Sequence, residues 1–265
     1  MTTREAAFAA VLADPDSDPA RMALAKILSA AGDPQGELIA AQTEAVNELR
    51  KYGPTPDWKR LTARANELTA KLGYDIATQV RPLADHPIIL RGLVEGVTLA
   101  ASKFLSIAPQ LYKVAPIRQV ILVDTGAAIK DIAASPYLDQ LVSINFYNRS
   151  KSAGIGDAGA RALAGSPHVR KLKRLGLNNN DIGADGVDAI AGSKNLANLI
   201  YVELGGNRVP SPVEGYGVDG ASGLVVREGA HLEASGAALE AKYGRIEWLH
   251  APSELTRYPP LDDDF

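Results

Sequence analysis

Apolar residues recur every three or four positions through the first 75 residues, which is the spacing of amphipathic helices. Glycine and proline interrupt this pattern at intervals, where helices are expected to stop. Asp18 and Pro19 are interpreted as the N-cap and the first residue of one helix. Four helices are predicted, over about Thr3 to Ala13, Asp18 to Gly32, Glu37 to Tyr52 and Asp57 to Leu72.

From Val94 onward the pattern changes to short apolar strands that alternate with helical segments. The segment from Leu172 to Ile182 fits Leu-x-x-Leu-x-Leu-x-x-Asn-x-Ile, and the pattern returns 27 residues later, with Asn207 at the position of Asn180. Weaker copies begin at Val94, Ile117 and Leu141, which makes about five repeats. One strand and one helix cannot bury an apolar face alone, so stacked copies are expected to share a continuous core.

Asparagine is expected to close the turn after each strand, because its amide can bind backbone groups that leave the sheet. Asn180 and Asn207 are the predicted turn residues. In the earlier copies the same position holds Arg149, Thr125 and Ser102. Those three turns are therefore expected to satisfy their backbone groups in another way.

The predicted fold class is α/β, with three parts. Residues 1–85 form a helical N-terminal unit, and residues 86–209 form a short solenoid with a parallel sheet on its concave face and helices on its convex face. Residues 210–265 form a glycine- and proline-rich segment and a C-terminal cap, in which a helix is predicted from Ser235 to Tyr243 and a strand from Arg245 to Leu249.

The repeats resemble the leucine-rich repeat family, and their 27-residue period is similar to its ribonuclease-inhibitor-like subclass. A second pattern precedes them, made of Phe8, Val11-Leu12, Asp14-Pro15-Asp16, Arg21, Leu24-Ala25, Leu28, Gly32-Asp33-Pro34, Gly36-Glu37-Leu38-Ile39 and Gln42. It resembles the repeat-companion domain that bacterial repeat proteins carry before their repeats. Lys26-Ile27 stands where that family usually has Asp-Trp. The two resemblances imply a bacterial scaffold rather than a particular activity.

Composition narrows the choice of partner. Lys and Arg total 28 against 31 Asp and Glu, a net charge of −3, so the chain lacks the basic excess that favours nucleic acid.

The absence of cysteine excludes thiolate nucleophiles and cysteine-ligated zinc or iron–sulfur sites. No apolar run is long enough to span a membrane and no secretory segment is recognised, so a cytoplasmic protein with no membrane partner is expected.

Three patterns suggest chemistry but have simpler interpretations. Gly154-x-Gly156-x-x-Gly159 matches a dinucleotide fingerprint, yet Gly154 falls outside the repeat register and is interpreted as incidental. Asp14-x-Asp16-x-Asp18 begins like a calcium loop but lacks its later ligands, so helix capping is preferred. The histidines, His86, His168, His231 and His250, have no metal-site spacing. No cofactor, metal or catalytic group is predicted.

One basic cluster stands out, composed of His168, Arg170, Lys171, Lys173 and Arg174. A solvated flank of one repeat explains it most simply, and a local contact with an anionic group is the alternative.

Side chains alternate along strands, so the residues between the strand leucines are expected to point away from the core. The predicted partner-binding residues on that concave face are Gln119, Ile121, Asn145, Tyr147, Arg174, Asn178, Tyr201 and Glu203. Tyrosine and arginine dominate binding hot spots. A competing interpretation is that Ile121 and Val123 are covered by the N-terminal helices or by the 210–230 segment.

A non-catalytic scaffold or adaptor that binds a protein through this concave face is the favoured function. The alternative is an enzyme or small-ligand binder with a site between the repeats and the 210–230 loop, where Tyr216, Asp219, Arg227 and His231 supply polar groups. A third hypothesis is a helper subunit of an obligate assembly.

Overall fold

The computed structural model describes residues 2–149, 153–208, 216–219, 223–226 and 234–250. The chain divides into two compact units. The first holds the described residues up to Thr98 together with Ile107–Arg118, and the second holds Leu99–Ser106 and the described residues from Gln119 to His250. The described residues contain both α-helices and β-strands, so the chain is α/β as predicted.

The four predicted N-terminal helices are confirmed: α1 (Thr3–Ala13), α2 (Asp18–Ala30), α3 (Gln35–Tyr52) and α4 (Pro56–Ile76). α1 starts with a capping box, in which the Thr2 hydroxyl accepts from the Glu5 backbone N–H and the Glu5 carboxylate accepts from the Thr2 backbone N–H. The predicted cap of α2 is wrong by one residue. Ser17 is the N-cap, because its hydroxyl accepts from the Ala20 N–H.

The helices of the first unit pack in chain order, α1 on α2, α2 on α3 and α3 on α4. One buried cluster joins α1, α2 and α3 to a strand residue and consists of Val11, Leu24, Ala25, Leu28, Ile39 and Leu93. A second joins α3 to α4 and consists of Leu38, Ala41, Ala65 and Leu68. Burial of these apolar side chains stabilises the helical part of the unit.

An antiparallel strand pair follows the helices, formed by β1 (Asp85–Leu90) and β2 (Leu93–Ala100). The repeat pattern predicts only parallel strands and includes no strand at Asp85–Leu90. This prediction is wrong for β1, which is antiparallel to β2, so the described strands are of mixed direction. The turn between the two strands consists of Arg91 and Gly92, both with positive φ. β1 escapes a pattern-based prediction because its apolar run is only Ile88–Leu90, is preceded by Pro87, and pairs irregularly near Ile88.

A network of buried charges joins α2 to β2 in the first unit. Glu95 on β2 is fully buried and accepts from two arginines, with 2.7 Å to Arg21 Nη2 and 2.9 Å to Arg91 Nη2. Both guanidinium groups also donate to the Pro15 carbonyl. Burial lowers the pKa of Arg21 to about 10 while Glu95 opposes that shift, so Arg21 is charged at neutral pH. Glu95 therefore compensates two buried positive charges.

The turn with alternating aspartates takes part in the same network. Asp18 lies 3.5 Å from Arg91 Nη1, and Asp16 forms an ion pair with Arg118, whose backbone N–H donates to the Glu95 carbonyl. Two carboxylates of the pattern that resembles the start of a calcium loop are therefore paired with arginines.

The second unit contains four strands that pair side by side in parallel: β3 (Gln119–Val123), β4 (Ser143–Tyr147), β5 (Arg174–Gly176) and β6 (Tyr201–Glu203). Four helices alternate with the strands from β2 onward: α5 (Ala101–Val114), α6 (Ile129–Ala133), α7 (Gly156–Gly165) and α8 (Ala184–Ala191). Short 3₁₀ turns at Pro136–Leu138 and Pro167–Val169 lead into β4 and β5. Each turn starts at a serine whose hydroxyl caps it, Ser135 or Ser166.

The apolar residues of the repeat pattern form the core of the second unit. Leu175 and Leu177 are fully buried, Leu204 is buried, and Val202 is half-buried. α7 packs on both α6 and α8. Three of these four positions that the pattern assigns to the interior are therefore removed from water, and the fourth is partly so.

The C-terminal part begins with a hairpin of β7 (Tyr216–Asp219) and β8 (Gly223–Val226) and continues with α9 (Ala234–Tyr243). The prediction of a helix up to Tyr243 is confirmed. The prediction of a strand from Arg245 to Leu249 is wrong, because Glu247–Leu249 forms a 3₁₀ turn that contacts β6. Trp248 and Leu249 are buried in this turn. The apolar residues that suggest a strand therefore do belong to the core, but their backbone forms a turn.

Asp157 on α7 connects this helix to the start of α8 and to Arg208. Its Oδ1 accepts from the Gly183 N–H at 2.6 Å and from the Gly186 N–H at 3.1 Å, and its Oδ2 lies 2.7 Å from Arg208 Nη2. Burial alone would raise the pKa of Asp157, but the Gly183 N–H and Arg208 outweigh it and hold the pKa below its ordinary value.

We expect acid to weaken the second unit through Asp157. The ionised carboxylate stabilises the fold at pH values above its unfolded pKa, near 4, and this contribution is lost as pH falls through the lower folded value. Urea unfolding between pH 2 and about 6 should therefore show a flatter pH dependence for Asp157→Asn than for the wild type. Asp185→Asn, at a side chain that is 83% exposed, is the matched control. Equal slopes for wild type and Asp157→Asn would contradict the assignment.

Candidate functional site

Two asparagines, 27 residues apart in the chain, hold the turns after β5 and β6 in the same way. Asn207 Nδ2 donates to the carbonyls of Leu177 and Leu204, and its Oδ1 accepts from the N–H groups of Asn180 and Ile182. Asn180 Nδ2 likewise donates to two carbonyls, those of Phe146 and Asn178, at 2.8 and 2.9 Å. The predicted turn role of Asn180 and Asn207 thus matches the observed hydrogen bonds.

The turn after β4 differs from the sequence expectation. Asn148, one residue before the expected Arg149, accepts from the Thr125 N–H and donates to Asn180 Oδ1 at 2.7 Å. The expectation that this turn lacks an asparagine is therefore wrong. The turn is one residue shorter than in the later repeats, and the asparagine follows the strand residue Phe146 by two positions. Arg149 instead forms an ion pair with Asp124.

Parallel pairing aligns the side chains of β3–β6 in two rows on one side of the strands. The first row is Gln119, Ser143, Arg174 and Tyr201, and the second is Ile121, Asn145, Gly176 and Glu203. Successive rows lie two residues apart and so point to the same side. We call these rows, with Val123, Tyr147 and Asn178 that continue them, the strand face. It contains all eight residues predicted to bind a partner.

Asparagine amides on the strand face lie over glycines of the next strand. A Cβ atom at Gly176 would come within 2.6 Å of Asn145 Cγ, so only glycine leaves room for that amide. One row further, Asn178 Oδ1 accepts from the Gly205 N–H at 2.7 Å, and Asn178 Nδ2 donates to Glu203 Oε2 at 2.7 Å. These polar side chains are therefore held in fixed positions before any ligand binds.

The two predicted hot-spot residues on β5 and β6 are buried rather than exposed. Arg174 is 7% exposed and Tyr201 is 5% exposed. The Arg174 guanidinium lies over the Tyr201 ring, 5.6 Å from its centre, and the Tyr201 hydroxyl donates to Glu203 Oε1 at 3.0 Å. Gln119 is buried as well. These three residues of the strand face are therefore not accessible for contact in the way that was expected of them.

The open part of the strand face lies toward the ends of β3 and β4. Tyr147 is 56% exposed, and Ile121, Val123 and Asn145 are half-buried. An exposed aromatic ring beside aliphatic and amide groups is suited to contact with another molecule.

Other residues that the sequence singled out have structural partners. Gly154 is not incidental, because a Cβ atom there would lie 2.6 Å from the Asn180 backbone. In the basic cluster, His168 Nδ1 lies 3.0 Å from Asp139, and Arg170 Nε donates to Asn195. His250 Nε2 lies 2.8 Å from Glu240.

The alternative site, predicted between the repeats and the 210–230 loop, falls mostly outside the described residues. Arg227 and His231 are not among them, and of Tyr216 and Asp219 only the strand backbone of β7 is described. Within the described ranges, no three acidic or histidine side chains are grouped to hold a metal ion. In the same part of the chain, none of the helices combines the length and apolar character that crossing a membrane requires.

Comparison with protein-family models, with curated proteins and with solved structures yields no match to this chain.

Proposed function

We propose that the chain is a non-catalytic interaction module of the leucine-rich-repeat type, which binds a protein partner through the open part of the strand face. The observation that carries the proposal is the placement of Tyr147, 56% exposed, opposite Val123 and one row from the Ile121–Asn145 pair, on a face of aligned parallel strands. Tyrosine anchors with aliphatic neighbours are typical of protein interfaces.

The repeat interpretation is supported by the recurrence of one set of contacts along the chain. Asn180 and Asn207 each donate to a carbonyl of the preceding strand region, Phe146 or Leu177, and each accept from an isoleucine N–H, Ile155 or Ile182. Their strands pair in register. Such nearest-neighbour contacts are expected of solenoids. The parallel strands and the helices between them are consistent with a concave strand face and a convex helical face.

Fixed side chains favour binding because little conformational entropy remains to be lost. Glu203 accepts on both carboxylate oxygens, from Asn178 and Tyr201, and Asn145 is confined over Gly176. A partner would therefore meet a polar surface whose donors and acceptors are already oriented, with Tyr147 as its exposed ring.

Site-specific photocrosslinking tests the proposal. A benzophenone amino acid replaces Tyr147 in one variant and Tyr52, which is 61% exposed on α3, in the control. After irradiation in cells that produce the chain naturally, we expect a discrete protein adduct from position 147 and none of the same mass from position 52. Adding Ile121→Asp, which places a charge on the same face one row from position 147, should remove that adduct. Adducts of equal yield at both positions, or none at 147, would refute the proposal.

Tyr147→Ala should leave the melting temperature of the free protein nearly unchanged, since more than half of the ring is already exposed. Thermal unfolding of the purified variant checks this. A large loss of stability would mean that Tyr147 serves the fold instead of a partner.

A further inference from the structure

A cavity of about 460 Å³ lies within the first unit. α1, α2, β2 and the residues after α4 and α5 contribute to its walls. Its size falls within the roughly 300–1,000 Å³ range of small-molecule sites. Leu24, Leu28 and Leu93 in its walls also belong to the buried cluster of α1, α2 and α3, but the proposed function does not involve the cavity.

The walls change from apolar to polar between the buried and the exposed parts. The buried part is lined by Leu24, Leu28, Val80, Leu93 and Val94. The exposed part is lined by Thr2, Arg4, Glu5 and Gln79. An apolar interior with a few polar groups at its opening fits a ligand that has an aliphatic body and a polar head.

At the opening, Arg4 can still donate hydrogen bonds to an anionic head, although Glu5 and Asp33 place negative charge nearby. Glu5 is already engaged, because its carboxylate accepts from the Thr2 N–H at 2.8 Å. Arg4 is 62% exposed and contacts Asp33 at 3.4 Å through Nη1 alone, whereas a guanidinium carries five N–H donors. Arginine binds carboxylates through two parallel hydrogen bonds.

We infer that this cavity binds an aliphatic monocarboxylate, with its hydrocarbon chain among the buried leucine and valine side chains and its carboxylate on Arg4. Half-buried Phe8 and Val114 line the same space and would contact the hydrocarbon chain. Affinity should rise about fourfold for each added methylene group until the cavity is full.

Calorimetric titration of the full chain with three ligands of equal chain length tests the inference. Decanoate is expected to bind one-to-one and about tenfold more tightly than decanol, because only decanoate pairs with Arg4. Decylammonium should bind more weakly than decanol, because its positive ammonium group would lie next to the positive guanidinium of Arg4. Equal affinity of decanoate and decanol, preference for decylammonium, or no saturable binding would each overturn the inference.

Two variants locate the site. Arg4→Gln should remove the preference for decanoate over decanol, whereas Arg60→Gln, an exposed arginine outside the cavity, should retain it. Val114→Phe enlarges a half-buried wall residue and should weaken all three ligands without lowering the melting temperature. Wild-type affinities in Arg4→Gln would contradict the role of Arg4, and wild-type affinities in Val114→Phe would contradict the cavity as the binding place.

Discussion

Glu95→Gln is expected to lower the free energy of unfolding by about 3–5 kcal/mol, the usual cost of leaving buried charges without their counter-ion. Arg21 and Glu95 are both fully buried, and Arg91 is nearly so. Glutamine keeps the size of the side chain but removes the charge that compensates the two guanidinium groups. Urea unfolding of the purified variant at neutral pH measures the loss.

Glu37→Gln is the matched control for Glu95→Gln. Glu37 also pairs with an arginine, 2.7 Å from Arg64 Nε, but its side chain is 49% exposed. Water screens such pairs, so this variant should unfold almost as the wild type does. A double replacement, Arg21→Met with Glu95→Met, should cost less than the sum of its single variants. Equal effects of Glu95→Gln and Glu37→Gln would show that burial of the network contributes nothing to stability.

Asn180→Ala should produce the second largest loss, about 3 kcal/mol. The substitution removes four hydrogen bonds of a fully buried side chain and leaves Asn148 Nδ2, the Ile155 N–H and two carbonyls without this partner. Each orphaned buried group costs roughly 1–3 kcal/mol, reduced where neighbours relax or water enters. Chemical denaturation gives the total, and hydrogen exchange at Ile155 reports the local effect.

Asn198→Ala provides the comparison for Asn180→Ala. Asn198 is exposed and donates one hydrogen bond, to the Arg170 carbonyl at 2.7 Å. Its replacement should change stability by less than about 1 kcal/mol, because water can satisfy that carbonyl. If Asn180→Ala is no more harmful than Asn198→Ala, the asparagine contacts do not stabilise the repeats.

Periodicity predicts much of this structure because it reflects burial directly. Helical spacing located α1–α4, and the strand spacing located the parallel strands with their buried leucines. The same logic located the strand face, since alternation assigns each residue to one side. It failed at Arg245–Leu249, where buried Trp248 and Leu249 lie on a 3₁₀ turn. An apolar run indicates that its residues are buried, but it does not specify whether their backbone forms a strand or a turn.

Other features depend on contacts between distant residues. Arg21 and Glu95 are charged residues that a sequence pattern assigns to the surface, and only tertiary packing makes them a buried pair. Arg174 and Tyr201 have the residue types and spacing of exposed anchors, but both are covered in the fold. Asn148 could have been found from the sequence by allowing the turn after Phe146 to be one residue shorter.

Hydroxyl-radical footprinting of the purified complex with the partner captured at position 147 examines the binding proposal most directly. The method reports side-chain exposure, and Tyr147, Tyr52 and Tyr74 are 56%, 61% and 70% exposed in the free protein. We predict that partner binding lowers oxidation of Tyr147 several-fold and leaves Tyr52 and Tyr74 unchanged. Unchanged oxidation of Tyr147 together with protection of Tyr52 or Tyr74 would contradict the strand face as the binding surface.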